Sequence, residues 1–145
     1  MNIMQHLFKI VYCFLALSLT ACSTNQQSTT LYQELGGEEK VAEIVENFIS
    51  EIEFNADIYH YFKDSDIGRF REKLNEHLCF LTNGPCQYSG DSMVDVHTGM
   101  NITERDFNLG VDLFINAMTK ANVPHPVQNK VLNVMAKTRK EIIYL

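Results

Sequence analysis

His97 is one of five histidines in this sequence, and neutral imidazole is the commonest metal ligand in proteins. A single histidine on an amphipathic segment is, by itself, more typical of a hydrogen-bonded or exposed residue than of a ligand. His60 and His125 fall on predicted connections between helices, and we interpret both as surface residues. The role of His97 therefore has to be judged from the sequence around it.

The first 21 residues differ from the rest of the chain. Lys9 precedes an apolar run over residues 10–19, which is too short to span a bilayer and predicts a signal peptide over residues 1–21. The run ends in Leu19-Thr-Ala-Cys22, which resembles the bacterial lipobox, where a signal peptidase cuts before a cysteine that carries diacylglycerol. Cys22 is then the lipidated N-terminus, and Ser23 favours the periplasmic side of the outer membrane in the cell envelope. The alternative is an ordinary buried cysteine that ends a short anchor helix.

The stretch after Cys22 consists of polar residues up to Thr30. Such a stretch cannot form a core, so residues 22–30 are predicted to be a flexible tether.

Cys79 and Cys86 lie seven positions apart in a domain that is predicted to be exported, where disulfides persist. A bridge between them is one possibility. The other is that Cys79 packs as a small apolar residue in a helix while Cys86 is exposed after Pro85. Both stay open, because the sequence does not determine the distance between the two Cα atoms.

Length and charge exclude some classes of protein. The 145 residues provide enough apolar material for one core and not for two. The formal charge is −6, and it becomes −7 once Lys9 leaves with the signal peptide. No run of Lys or Arg could follow a phosphate backbone, so nucleic acid is not expected as a partner.

From Leu31 onward, apolar residues recur at intervals of three and four, which is typical of amphipathic helices. Gly36-Gly37 interrupts the first of these stretches, and Thr103 followed by Glu104 and Asp106 predicts the start of another helix. The pattern predicts an all-α domain of five or six helices over residues 31–145.

Several fragments of the sequence resemble group I truncated haemoglobins, in the order and at the spacing of that family. The fragments are Leu31-Tyr-Gln-Glu-Leu-Gly-Gly, Val45-Glu-Asn-Phe48, Tyr61-Phe62, and the stretch from Tyr88 through Met93 and His97 to Thr103. The resemblance implies a two-over-two helical sandwich around a b-type haem (heme b, iron protoporphyrin IX).

The same resemblance implies a role for each matching residue. His97 would be the proximal iron ligand, with its second ring nitrogen bound to a backbone carbonyl or water. Phe62 would lie flat on the haem, and Tyr88 would lie near the haem propionates. The residues expected against the proximal haem face are Met93, Val96, Ile102 and Phe107.

The distal side departs from the family pattern. Ile49, directly after Phe48, stands where relatives usually have a tyrosine, and Phe70 and Leu74 stand where relatives often have polar residues. A buried donor would stabilise a partly negative gas ligand by about 1.5–3 kcal/mol. Without one, we expect weaker retention of oxygen and less discrimination in its favour over carbon monoxide or nitric oxide.

Lys73 and His77 share a helical stripe with Phe70 and Leu74, which should face the haem or its edge. Either Lys73 or His77 could ligate the iron from the distal side. Alternatively, Lys73 stays charged and pairs with a haem propionate or with solvent.

The function expected from the resemblance is reversible binding of a diatomic gas, oxygen or nitric oxide. Nitric oxide dioxygenation is an enzymatic alternative, although the apolar distal side favours it less. The alternative from a different class is a haem-free lipoprotein that acts as an interaction module. A peroxidase is poorly supported, because no distal His or Arg stands where it could cleave an O–O bond.

Overall fold

The computed structural model describes residues 28–145, and within this range it contains seven α-helices and one 3₁₀ helix. The elements are α1 (Leu31–Leu35), α2 (Gly37–Glu53), α3 (Ala56–Tyr59), α4 (Ile67–Leu81), α5 (Met93–His97), α6 (Glu104–Lys120), α7 (His125–Met135) and the 3₁₀ helix Ala136–Glu141. The predicted all-α class is confirmed. The predicted signal peptide, the lipidated Cys22 and most of the tether lie outside the described residues.

The described residues form more helices than the five or six predicted, because α1, α3 and α5 have only four or five residues each. A single turn presents too few side chains to show a 3.6-residue period. Each short helix instead begins at a polar N-cap, whose side chain accepts a backbone N–H of the first turn. These caps are Thr30, Asn55 and Ser92.

The four long helices form two layers. Helix α2 packs against both α4 and α6, and α6 also contacts α7, so the pair α2–α4 lies over the pair α6–α7. Helix α1 turns back onto α2 and α7 after Gly36, whose φ of 112° ends the helix in a left-handed conformation. The start predicted for α6 is also confirmed, because Thr103 and Asp106 form a capping box.

The main core lies between these layers and is almost wholly aliphatic. Ile44 on α2 packs in one cluster with Leu78 on α4, Met118 on α6 and Val131 on α7, and all four are fully buried. A smaller cluster of Ile52, Ile58 and Leu113 adjoins it. None of the helices within residues 28–145 is long and apolar enough to cross a membrane.

Of the two alternatives for the cysteine pair, the disulfide is the one present. Cys79 in α4 and Cys86 in the following loop are bridged, with their Cα atoms 5.9 Å apart. Cys79 is only 3% exposed, whereas Cys86 is partly exposed.

Ile44→Ala should lower the free energy of unfolding by about 2–5 kcal/mol, because it leaves a cavity in the fully buried core. Equilibrium urea unfolding, followed by circular dichroism, measures this. The matched control is Phe54→Ala at the end of the same helix, where the side chain is 85% exposed. We expect that control to change stability by no more than about 0.5 kcal/mol. Equal effects of the two substitutions would contradict the assigned core.

Candidate haem site

A cavity of about 740 Å³ lies among α4, α5, α6 and the 3₁₀ helix, with contributions from α2 and α7. Its volume falls in the range of roughly 300–1,000 Å³ that is typical of cofactor sites. Predicted site residues that line it are Phe48, Phe62, Phe70, Lys73, Leu74, Tyr88, Met93, Val96, His97, Ile102 and Phe107. The structure therefore brings together residues that are up to 59 positions apart in the sequence, from Phe48 to Phe107.

His97 is the last residue of α5 and is half-buried in the cavity wall. Its Nδ1 lies 2.7 Å from the carbonyl oxygen of Met93, one turn earlier in the same helix. A carbonyl oxygen can only accept, so Nδ1 carries the proton and Nε2 keeps its lone pair. Burial lowers the pKa of His97, which favours the neutral imidazole. The residue thus has the tautomer that an axial metal ligand requires.

Ser92 holds the start of α5 in place. Its hydroxyl accepts the backbone N–H of Asp95 and donates to the Asp95 carboxylate at 2.6 Å. This cap aligns the single turn that carries His97.

The wall contributed by α2 and α4 is aromatic and aliphatic. The rings of Phe62 and Phe70 lie 4.9 Å apart, and Phe48 packs edge-on against Phe114 at 5.3 Å. Leu74, one turn after Phe70, completes this wall. The residues named here that line this side of the cavity are therefore apolar.

Ile49 is not part of this wall. Its neighbour on α2, Phe48, is among the residues that line the cavity. Ile49 is half-buried elsewhere. The structure therefore places Phe48, and not Ile49, in the lining of this cavity.

One edge of the cavity is polar and charged. Arg69 forms an ion pair with Asp91 at 2.8 Å, and the Tyr88 hydroxyl donates to the backbone carbonyl of Asp91, also at 2.8 Å. The Tyr88 ring lies 4.8 Å from the ring of His77, which also lines the cavity. Burial lowers the pKa of His77.

Lys73 lies at the same edge, with its side chain 18% exposed. Its ammonium donates to Glu72 at 2.6 Å, to Glu76 at 3.0 Å and to the Ser89 hydroxyl at 2.8 Å. The hydrogen bonds to the two carboxylates raise the pKa of Lys73, so the group stays charged. A charged ammonium has no lone pair, and this arrangement favours the charged alternative over iron ligation.

Residues 30–144 match the family model described as bacterial-like globin. The chain belongs to that family. The group 1 truncated hemoglobin of Tetrahymena pyriformis is 27% identical over 114 residues, which cover 79% of this chain and 94% of that protein. The group 1 truncated hemoglobin GlbN of Mycolicibacterium paratuberculosis is 28% identical over 116 residues, covering 80% and 85% of the two chains.

Solved structures agree with this assignment. The Fe(III) form of the Tetrahymena pyriformis truncated hemoglobin superposes with a TM-score of 0.77, at 27% identity, over 80% of this globin and 99% of that chain. The group II truncated hemoglobin of Bacillus anthracis has a TM-score of 0.73 at 22% identity, over 81% and 93% of the two chains, and shows the shared fold alone. The two-over-two helical sandwich is therefore confirmed. Family membership supports a globin role in binding haem and a diatomic gas.

Two features of this globin's cavity are missing from the sequence-based prediction. The Tyr61 hydroxyl donates to Asp106 at 3.0 Å, and burial together with this carboxylate raises the pKa of Tyr61. Arg139 lines the cavity from the 3₁₀ helix, pairs with Glu104, and lies 5.8 Å from the centre of the Phe107 ring. Tyr61 lies in the Tyr61-Phe62 fragment that resembles the family. Its partner Asp106 is 45 positions away, and Glu104 is 35 positions from Arg139, so no local sequence signal could connect either pair.

Glu76 provides a pH-dependent contact between α4 and the following loop. It accepts from the Ser89 backbone N–H at 3.0 Å, from the Ser89 hydroxyl at 2.8 Å and from Lys73. These bonds, that of the Ser89 backbone foremost, lower the pKa of Glu76 to about 2.

Glu76→Gln should therefore be less stable than wild type at neutral pH, and the gap should close in acid. A carboxylate with a lowered pKa contributes its full stabilisation above the unfolded-state pKa of about 4.3, and loses it as the pH falls towards about 2. Urea unfolding between pH 2 and 8 measures the difference, with the exposed Glu53→Gln as the control. A gap that stays constant down to pH 2 would argue against this contact.

Proposed function

We propose that this globin binds b-type haem through Nε2 of His97 and holds a diatomic gas, oxygen or nitric oxide, against an apolar distal wall. The observation that carries the proposal is the hydrogen bond from His97 Nδ1 to Met93 in the wall of a large cavity. It supports a neutral imidazole whose free nitrogen can bind iron.

The residues present fit a haem group in both shape and charge. Aromatic and aliphatic side chains cover the broad walls, which suits an apolar macrocycle. Arg69, Lys73 and the Tyr88 hydroxyl lie together at one edge, and a pair of carboxylates could bind there by exchanging with the present partners Asp91, Glu72 and Glu76. When bound, ferrous haem would supply the iron that binds a diatomic gas.

Different residues of the chain would then contact the two faces of the haem. His97 would hold the iron from the proximal side, with Met93, Val96, Ile102 and Phe107 beside it. On the other side, Phe48, Phe62, Phe70 and Leu74 would exclude water from the gas position. Because these distal residues have no hydrogen-bond donor, the protein would retain oxygen weakly, which favours nitric oxide dioxygenation less.

Lys73 would act as a charged edge residue in this proposal, and His77 as a packing partner of Tyr88. The predicted lipid anchor on Cys22 would hold the domain at the periplasmic side of the outer membrane. That location rests on the sequence of residues 1–30 alone.

His97→Ala should abolish high-affinity haem binding, because Ala offers no axial donor. Titration of the purified protein with haem, followed by the Soret absorption band, measures this. His60→Ala is the matched control, since His60 is exposed and does not line the cavity. An unchanged spectrum and haem affinity in His97→Ala would refute the proposal and favour a haem-free interaction module.

Leu74→Gln should slow oxygen dissociation, because it introduces a donor into the apolar wall. A gain of about 1.5–3 kcal/mol corresponds to a rate that is lower by on the order of 10- to 100-fold. Stopped-flow displacement of oxygen measures the rate. Phe80→Gln on the same helix is the control, since Phe80 is 53% exposed and outside the cavity wall. Equal rates in wild type and Leu74→Gln would rule out this account of the distal side.

A further inference from the structure

The loop between α4 and α5 is held mainly by side chains. Within the described part of the chain, residues 85–91 make no hydrogen bond from backbone to backbone. This loop leads directly into α5 and so into His97. Whatever fixes the loop therefore also fixes the position of the imidazole.

Three polar or covalent ties join this loop to α4, and Lys73 takes part in one of them through its bond to the Ser89 hydroxyl. Arg69 pairs with Asp91, and Glu76 accepts two hydrogen bonds from Ser89. The third tie is the disulfide between Cys79 and Cys86. Arg69, Glu76 and Cys79 are spaced at seven and three positions, so they lie along one side of the helix.

The three ties differ in strength. Arg69, Asp91 and Ser89 are exposed, so water competes for their ion pair and hydrogen bonds, and each of these non-covalent contacts can open and form again. The disulfide is covalent and involves a cysteine that is only 3% exposed. It is therefore the dominant tie between the loop and α4.

The corner of the loop is closely packed against this disulfide. A Cβ atom added to Gly84 would lie 2.5 Å from Cys79 Sγ and 2.8 Å from the Tyr32 ring. The Gly84 N–H also donates to the Cys79 carbonyl at 2.8 Å. The bridge is thus built into the junction of α1, α4 and the loop.

Helix α5 cannot hold its place alone. It has five residues, and none of them is buried. A single turn is unstable in isolation, because too few hydrogen bonds offset the cost of ordering the chain. On its far side, Asn101 N–H donates to Leu145 and Tyr144 N–H donates to Ile102, so the segment is fastened at both ends.

We propose that the disulfide between Cys79 and Cys86 retains haem by holding the segment that carries His97, and that its reduction by a dithiol speeds haem release. This inference rests on the proposed function, because it takes His97 as the iron ligand. Cys79 and Cys86 are thereby a redox-sensitive site, and neither touches the gas ligand. Cys86 is a positioning residue that acts through the loop.

The reduction is a two-electron exchange. A thiolate of the dithiol attacks Sγ of the more exposed Cys86, the bond between the two cysteine sulfurs breaks, and Cys79 leaves as a thiolate that takes up a proton. The second thiol of the reductant then displaces Cys86, which also ends as a thiol. The dithiol becomes a cyclic disulfide, and the protein gains two electrons and two protons.

The test measures haem transfer from the ferric holoprotein to an excess of apomyoglobin. Wild type is compared before and after treatment with dithiothreitol, which is removed under argon, and thiol titration verifies two free thiols. Cys79→Ala/Cys86→Ser is treated in the same way. Ser89→Ala is the matched control, because it removes the hydrogen bonds of the Ser89 hydroxyl with Glu76 and Lys73, and it keeps the backbone bond to Glu76 and the disulfide.

We expect reduction to speed haem transfer from wild type by about tenfold or more. The double variant should release haem at the fast rate whether or not it is treated, and Ser89→Ala should stay within about threefold of untreated wild type. An unchanged rate in fully reduced wild type would overturn the proposal. Because wild type is tested directly, the result does not depend on whether the double variant folds.

Hydrogen exchange of residues 86–97 in the haem-free protein separates this inference from the proposed function. Faster exchange after reduction supports the tie even if His97 proves not to bind haem. Unchanged exchange overturns the inference, whatever His97→Ala does. Faster exchange with unchanged haem transfer also overturns it, since the disulfide would then hold the loop without retaining haem.

Discussion

The hydrogen bond between His97 Nδ1 and the Met93 carbonyl is the interaction on which the site depends. It places the proton on one ring nitrogen, leaves a lone pair on the other, and limits rotation of the ring. It also depends on the helical turn of α5, since donor and acceptor are four residues apart in that turn. A change that unwinds α5 therefore removes both the position and the tautomer of the imidazole.

The two sides of the cavity are built by different means. The side that carries Phe48, Phe70 and Leu74 belongs to long helices anchored in the main core, and Phe48 itself packs on Phe114. The side that carries His97 belongs to one short turn with no buried residue. Its position comes from the flanking loop and from contacts with the 3₁₀ helix. The side that carries His97 is therefore the more easily displaced of the two.

Charged and polar side chains at the cavity edge connect the two sides. Lys73 and Glu76 on α4 meet Ser89 of the loop, so one network joins the distal helix to the proximal loop. This network explains why Lys73 stays charged beside an apolar cavity.

Much of the fold and part of the site could be predicted from the sequence. Amphipathic periodicity determined the long helices, since burying one face of a helix requires apolar residues at intervals of three and four. The fragments around Phe62, Tyr88 and His97 identified part of the cavity lining, whereas residues such as Phe114 and Arg139 join it only through the tertiary fold. The sequence left open whether Cys79 and Cys86 are bridged, because a separation of seven residues is compatible with several distances.

By itself, then, the sequence determined the fold class, the family and the residue expected to bind iron. Only the tertiary structure decided that Phe48 and not Ile49 faces the cavity, that Lys73 is engaged by two carboxylates, and that Tyr61 meets Asp106. The physical reason is that periodicity and motifs are local properties of the chain. The direction of one side chain and the partner of one charge depend on which distant helix lies beside them.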